Sequence, residues 1–314
     1  MRKYWLHFCS RPTIFLTMPE PRHVVAFSGG KDSSALAVYL HNPERWRRAL
    51  GKTGLPERVP LDRPEYVFCD TGTELAETYD YLDRLEAYLG SPIVRLRADA
   101  PPGETPFDHY LALYRDFLPS PQMRWCTRKL KLEPYERHIG DEEIISYVGI
   151  RADEGDRVGY ISTKPNIQTV YPFKEDGIVK EDVYRILEES GLGRPDYYKW
   201  RSRSGCYFCF YQRKSEWVGL LENHPDLFEK AKEYEKFDAE TGQRYTWSDA
   251  ESLDELADPQ RIAQIKRRTA ERLARASESR QGRTLLAQMF PQSGLLDEAR
   301  DLEDAGAGCN ICHL

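Results

Sequence analysis

The chain has 314 residues, 31% of them charged and 40% hydrophobic, with a formal net charge of −6. That length can bury a full core, as one large domain or as a core domain with an appendage. The negative balance offers no global attraction to a polyanion, so any nucleic-acid contact has to be local. No run approaches the roughly 18 apolar residues of a membrane span, and the opening MRKYWLHFCSRPTIFLT breaks its apolar residues with Arg11 and polar groups, which makes a poor signal peptide. A cytoplasmic protein without membrane contact is expected. Residues 1–22 read as an N-terminal extension, and Met18 offers a second start just ahead of the first strand.

From His23 short apolar runs alternate with helical periodicity. HVVAF is the first expected strand; SGGKDS follows it, and an aliphatic helix begins at Lys31. EYVFC is the second strand, followed by DTGTELAET from Asp70. The helix ELAETYDYLDRLEAYLG sets Leu75, Tyr79, Leu82, Leu85 and Leu89 on one face, and Gly90 stops it. SPIVRLR is the third strand, a helix is expected over Lys129 to Ile139, and IISYVG, the fourth strand, runs into GIRADEGDR from Gly149. Strands separated by helices imply an α/β fold with a doubly wound parallel sheet, and such sheets bind ligands at the carboxyl ends of their strands. All three motifs fall there.

Beyond Pro172 the character changes. KEDVYRILEESG is a short amphipathic helix closed by Gly191, GRPDYYKWRSRSG is a basic and aromatic loop, and HPDLFEKAKEYEKF and PQRIAQIKRRTAERLARA are helices. The last aligns Ile262, Ile265, Thr269, Leu273 and Ala276. The expected organisation is an extension over 1–22, a ligand-binding α/β domain over 23–200, and a mainly helical, cysteine-bearing region over 201–314.

SGGKDS has neither the spacer of GxxxxGK[ST] nor the pattern GxGxxG. Gly29 and Gly30 can adopt backbone angles closed to other residues, so that consecutive N–H groups converge on one anion. Lys31 adds a charge, Ser28 and Ser33 add hydroxyls, and the helix behind them adds its positive end. That is a cradle for phosphate or pyrophosphate; a plain glycine turn with a capped helix is the bland alternative. Asp32 would repel phosphate unless it caps the helix or binds a bridging metal ion.

Seven cysteines in a reducing compartment do not suggest a disulfide framework. Cys69, inside YVFCD, reads as a small buried hydrophobe. Cys126 in RWCTRK and the CxxC of Cys206 and Cys209 could together hold an iron–sulfur cluster with an open fourth position. A second CxxC, Cys309 and Cys312 in GCNICHL, leaves a four-cysteine zinc site or redox thiols open as well. YYKWRSRSGCYFCFYQRK mixes aromatics with positive side chains, as base stacking and phosphate contact require, although a packed knuckle with solvated arginines gives the same pattern. IKRRTAERLARASESRQGR reads as a solvated helix face before it reads as a nucleic-acid strip.

With these motifs in place, the chain resembles a family. SGGKDS after an apolar strand is similar to the PP-loop of the N-type ATP pyrophosphatases, and DTGTELAET, WCTRKLKLEP and GIRADEGDR resemble the further motifs of their phosphoadenylylsulfate reductase-like branch. The likeness, over about residues 23–215, is greatest to DNA phosphorothioation-type sulfurtransferase subunits. It implies a nucleotide alpha-hydrolase-like fold that binds ATP with Mg2+ and cleaves between the alpha and beta phosphates. By position, Ser28, Gly29, Gly30, Lys31, Asp32 and Ser33 would hold phosphates, with Lys31 and Asp32 catalytic. Asp70 and Thr71 would lie near the nucleotide, and Gly149, Arg151 and Arg157 would close over it. Where this chain has Glu154 and Gly155 the family more often has Glu-Ser, so a serine contact is missing.

The resemblance further implies a [4Fe-4S] cluster on Cys126, Cys206 and Cys209, with zinc as the alternative. It also implies a cysteine desulfurase as sulfur partner and DNA or RNA as acceptor. Sulfonucleotide reductases of the family end in a tail with a nucleophilic cysteine followed by histidine, which Cys312 and His313 match without the usual acidic residue and glycine. The expected activity is ATP-dependent adenylation for sulfur transfer, with sulfonucleotide reduction through Cys312 second and a non-catalytic, zinc-stabilised nucleotide- or nucleic-acid-binding module third.

Overall fold

In a computed structural model of the chain, RHVVAF forms β1 (Arg22–Phe27) and buries Val24, Val25, Ala26 and Phe27 on both faces, as a central parallel strand must. The structure describes residues 20–54, 60–62, 64–155, 164–237, 242, 244–248 and 251–289, without the side chains of 273 and 276–289. Beside β1 lie β2 (Glu65–Asp70) and β4 (Ile144–Tyr147), with β3 (Ile93–Arg97) and β5 (Ile167–Val170) at the edges. All four pairings are parallel, in the order β3-β2-β1-β4-β5, with Val25 opposite Tyr66 on one side and Tyr147 on the other. The fold is the expected α/β one with a doubly wound parallel sheet, and winding reverses between β1 and β4, where such sheets take their ligands.

Helices α1 (Lys31–His41), α2 (Pro43–Ala49) and α3 (Ala76–Leu89) follow in order. Thr78, Tyr81, Leu82, Leu85 and Leu89 form the buried face of α3, and Gly90 ends it with a left-handed cap at φ 63°. A helix that the sequence reading did not anticipate, α4 (Pro106–Leu113), begins at Thr105, whose side chain accepts the Asp108 N–H. The helix expected over 129–139 is split. After the short turn α5 (Trp125–Thr127), residues Arg128–Leu132 widen into a π-helical turn before α6 (Glu133–Ile139). Pro134 has no N–H to offer the Leu130 carbonyl and its ring crowds that group, which accounts for the widening.

Then come α7 (Pro172–Glu175), α8 (Lys180–Glu189), α9 (Lys214–Asn223), α10 (Pro225–Glu233), α11 (Leu253–Leu256) and the long α12 (Pro259–Met289). Helix α10 stops short of the expected Phe237 because Glu235 turns back to accept the N–H groups of Trp247 and Leu253; a two-residue pairing, β6 (Lys236–Phe237) with β7 (Arg244–Tyr245), follows instead. Three apolar clusters result. One face of the sheet packs on α1 and α8 through Leu36, Tyr39, Ile186 and Leu187; the other packs on Leu132, Tyr135 and Ile139. The third joins Phe107, Leu111 and Trp125 to Trp217, Phe228, Trp247 and Ile265, so residues on both sides of position 200 share it. Among the described residues, no helix is long and apolar enough to cross a membrane.

Candidate functional site

The loop after β1 is built around two glycines. Gly29 sits at φ +70°, and a Cβ there would also come within 2.5 Å of Thr78 Cγ2. Gly30 is the N-cap of α1 and supplies no side chain to its first amides; a Cβ on it would lie 2.7 Å from Ser204 Oγ. The Ser28 N–H donates to Ser33 Oγ at 3.3 Å, and the Lys31 N–H donates to the Tyr198 hydroxyl at 3.1 Å. Tyr197 donates to the Gly29 carbonyl at 2.6 Å, and Ser204 Oγ donates to Ser28 Oγ at 3.2 Å. The loop is therefore lined by hydroxyls arriving from 170 residues away in sequence, to order of magnitude, and these mark where anion oxygens can accept the same N–H groups. Tyr198 and Ser204 were not singled out from the sequence, because only the basic and aromatic loop as a whole attracted notice.

Asp32 neither caps the helix nor presents a carboxylate to an ion. Its oxygens accept from Lys31 Nζ at 2.5 Å and from Arg151 NH1 at 2.9 Å, and all three side chains are buried. Burial opposes the charge on Lys31 and Arg151, yet Asp32 outweighs it, and both pKa values end above their ordinary ones. Arg151 is held in turn by Asp153 at 2.8 Å, while its own N–H donates to Glu154 at 2.9 Å. Gly149 permits the approach of the β4 end to α1: a Cβ there would lie 2.9 Å from the Asp32 carbonyl oxygen. Since Asp32 is engaged by two cations, the loop as it stands does not fit a magnesium ligand set, and no step is derived through that ion.

After β2, Asp70 accepts from the Gly72 N–H at 2.8 Å and from the Tyr79 hydroxyl at 2.7 Å, which fixes the turn. Thr71 is buried and faces a carboxylate and a thiol: its hydroxyl donates to Glu74 at 2.6 Å and lies 3.3 Å from Cys206 Sγ. Burial raises the Glu74 pKa, and burial, with the Glu74 charge adding, pushes the Cys206 thiol up to about 11. Nothing in DTGTE beyond an acidic residue in a turn signalled this role for Glu74. Cys209 follows on a tight turn, its N–H donating to the Cys206 carbonyl at 3.1 Å. Cys69 is buried, with its thiol pushed up to about 12 by burial, as a packing residue would be.

Cys126 and Cys206 both pack against the third apolar cluster and, with Cys209, are partly buried. Among the described residues, however, no three or more His, Cys, Asp or Glu side chains gather so as to hold a metal ion. Arg157, Cys309 and Cys312 lie outside the described residues.

Lys31, Arg151 and Tyr198 also line a cleft of about 600 Å³, together with Trp200, Arg201, Ser202 and residues of α9 and α12. Residues 22–172 match the family described as the phosphoadenosine phosphosulfate reductase domain. An uncharacterized protein of Methanocaldococcus jannaschii is 27% identical over 220 residues, which are 66% of this chain and 40% of that one; the match thus spans less than half of that relative's length. A phosphoadenylyl-sulfate reductase from Candida auris, solved as a phosphate complex, is similar at 14% identity and a TM-score of 0.41, over 61% of this chain and 83% of the other. A U34-tRNA thiolase from Methanococcus maripaludis, solved with its [4Fe-4S] cluster, is similar at 14% identity and a TM-score of 0.32, over 68% and 70%.

Proposed function

From the match of residues 22–172 to the phosphoadenosine phosphosulfate reductase domain, we propose that the chain is an ATP pyrophosphatase that adenylates an acceptor for sulfur transfer. One observation bears most of the weight: the uncapped start of α1 stands at the switch point of the sheet with Lys31 and Arg151 beside it, on a cleft. The beta and gamma phosphates would accept the first N–H groups of α1, displacing the Tyr198 hydroxyl from Lys31 N. Lys31 and Arg151 would face the charge that builds on the departing pyrophosphate. An acceptor oxygen attacks the alpha phosphorus, the bond to the bridging oxygen breaks, and pyrophosphate leaves with the electron pair.

The adenylated acceptor then has AMP as a good leaving group. A persulfide on Cys206 or Cys209, supplied through a cysteine desulfurase, would attack the adenylated atom through its outer sulfur and expel AMP with the electron pair; the other thiol of the pair would then cleave the S–S bond, freeing the thiolated acceptor and leaving a Cys206–Cys209 disulfide for an external thiol to reduce, and the position of Cys206 beside Thr71, at the end of the strand next to the loop, supports that relay. The test is release of radiolabelled pyrophosphate from ATP, expected to be abolished in Lys31→Ala; ATP binding without cleavage, with acceptor candidates present, refutes the proposal. The family match favours a second reading, reduction of a sulfonucleotide in the same cradle. Sulfite released from phosphoadenylylsulfate with a thiol reductant, and lost in Cys312→Ser, would establish it in place of the first.

A further inference from the structure

Two hydroxyls stand over the same face of Gly30, in the loop that opens α1. A Cβ on Gly30 would lie 2.7 Å from Ser204 Oγ and 3.2 Å from the Tyr198 hydroxyl, and that Tyr198 oxygen accepts the Lys31 N–H at 3.1 Å. Ser204 Oγ reaches on to Ser28 Oγ at 3.2 Å. A phosphate group is bulkier than a single hydroxyl, so an anion that takes the Lys31 N–H from Tyr198 also presses on Ser204, a buried residue in a close-packed setting.

How Ser204 can yield is set by its neighbours in the chain. On the N-terminal side the backbone is pinned to α9: a Cβ on Gly219 would lie 2.7 Å from the Trp200 ring, and Glu216 accepts the Ser202 N–H at 2.7 Å. On the C-terminal side stands Gly205 at φ +134°, a conformation that residues with side chains rarely adopt and that glycine enters and leaves easily. Cys206 follows, docked on the turn after β2: its Sγ lies 3.3 Å from Thr71 Oγ1, and the Tyr207 N–H donates to the Thr73 carbonyl at 2.8 Å. The Arg201 guanidinium donates to the carbonyls of Gly205 and Cys206 at 3.1 and 2.7 Å, so that these two peptide groups move together. A shift imposed at Ser204 is blocked at α9 and passes through Gly205 to the thiol.

We propose that Ser204 is a positioning residue that couples the phosphate loop to Cys206: an anion on the Lys31 N–H displaces Ser204, and the displacement undocks Cys206 from Thr71. The coupling follows from the geometry of this segment. Its use as an ordering device, which presents the thiol for sulfur transfer after the triphosphate has bound, rests on the function proposed above.

The Tyr207 amide reports the docked state. Its hydrogen exchange in the full chain is measured by mass spectrometry, with and without pyrophosphate at about a hundred times the Kd found by calorimetry. Ligands that order a protein slow its exchange, so a faster amide is a signature that a merely structural contact does not give. Exchange at Tyr207 is expected to rise about fivefold in the wild type, the equivalent of one hydrogen bond. Ser204→Ala, which lacks the displaced hydroxyl, is expected to bind pyrophosphate with its Tyr207 exchange changed by less than about twofold. Pyrophosphate that binds the wild type without speeding Tyr207, a Ser204→Ala variant that responds as the wild type does, or one whose Tyr207 is already fast without the anion overturns the proposal. Failure of the wild type to bind pyrophosphate overturns it as well. Pyrophosphate release from ATP, measured on the same wild-type preparation, separates the two readings: faster exchange without ATP cleavage overturns the activity alone, and cleavage without faster exchange overturns the coupling alone.

Discussion

Asp32→Asn removes the charge that holds Lys31 and Arg151 together. The two cations sit 2.5 and 2.9 Å from its oxygens, and all three side chains are about 90% buried, so the charges cannot be screened by turning into solvent. Breaking a buried pair by removing one partner costs about 3–5 kcal/mol, and the lower end applies here because the amide oxygen still accepts one hydrogen bond. The expectation is therefore a loss of about 3 kcal/mol in urea unfolding without ligand.

Pyrophosphate offers the same two cations a replacement anion. A ligand at a hundred times its Kd stabilises by about 2.7 kcal/mol, and at one fixed pyrophosphate concentration the gain should be larger for the variant than for the wild type, since only the variant holds uncompensated cations. Equilibrium unfolding of both proteins, with and without pyrophosphate, reads all four values. A variant within about 1 kcal/mol of wild type, or one that gains no more from pyrophosphate than wild type does, refutes the assignment of this triad as an anion site balanced by Asp32.

Other outcomes follow from the same geometry. Gly149→Ala puts a methyl group 2.9 Å from a backbone oxygen that cannot swing away, so urea unfolding should show a loss of about 1–3 kcal/mol together with reduced pyrophosphate release. Tyr198→Phe removes the acceptor on the Lys31 N–H; if phosphate takes that place, calorimetric ATP affinity stays within a few-fold of wild type while ligand-free stability falls by about 1 kcal/mol. Glu251 is bound by Arg261 and Lys214, and those partners hold its pKa down at about 2. Its stabilisation is therefore complete above its ordinary range near 4.5 and is lost as pH falls toward 2. Unfolding from pH 6 to about 2 should lose on the order of 2 kcal/mol more in wild type than in Glu251→Gln.

The strands β1, β2 and β4 were legible because a buried parallel strand must be a short apolar run, and the loop was legible because glycines, a lysine and hydroxyls stand together right after one. Edge strand β5 was not. Its NIQTVY context is polar and only partly buried, so neither periodicity nor an apolar run marks it. Arg151 was anticipated through family likeness, but its pairing with Asp32 was not: the two lie 119 residues apart, and no local pattern encodes a buried ion triad. The same holds for Tyr198 and Ser204, which reach the loop only through tertiary packing. The solvated-face reading of α12 fits Lys266 and Arg272, which are both exposed, and the same two residues also border the cleft.

The segment from Tyr197 to Cys206 touches the phosphate loop at Gly29, Lys31 and Ser28, and at its far end places a thiol against Thr71. It acts as a ruler, and its length is fixed more tightly than its composition. One residue inserted between Tyr198 and Ser204 would leave a contact at one end only by losing the contact at the other. The turn at Gly51 and Gly54, where an added Cβ meets nothing within 4 Å, has room for such a change. Spacing along this short stretch thus ties the chemistry of the cradle to the position of a sulfur atom.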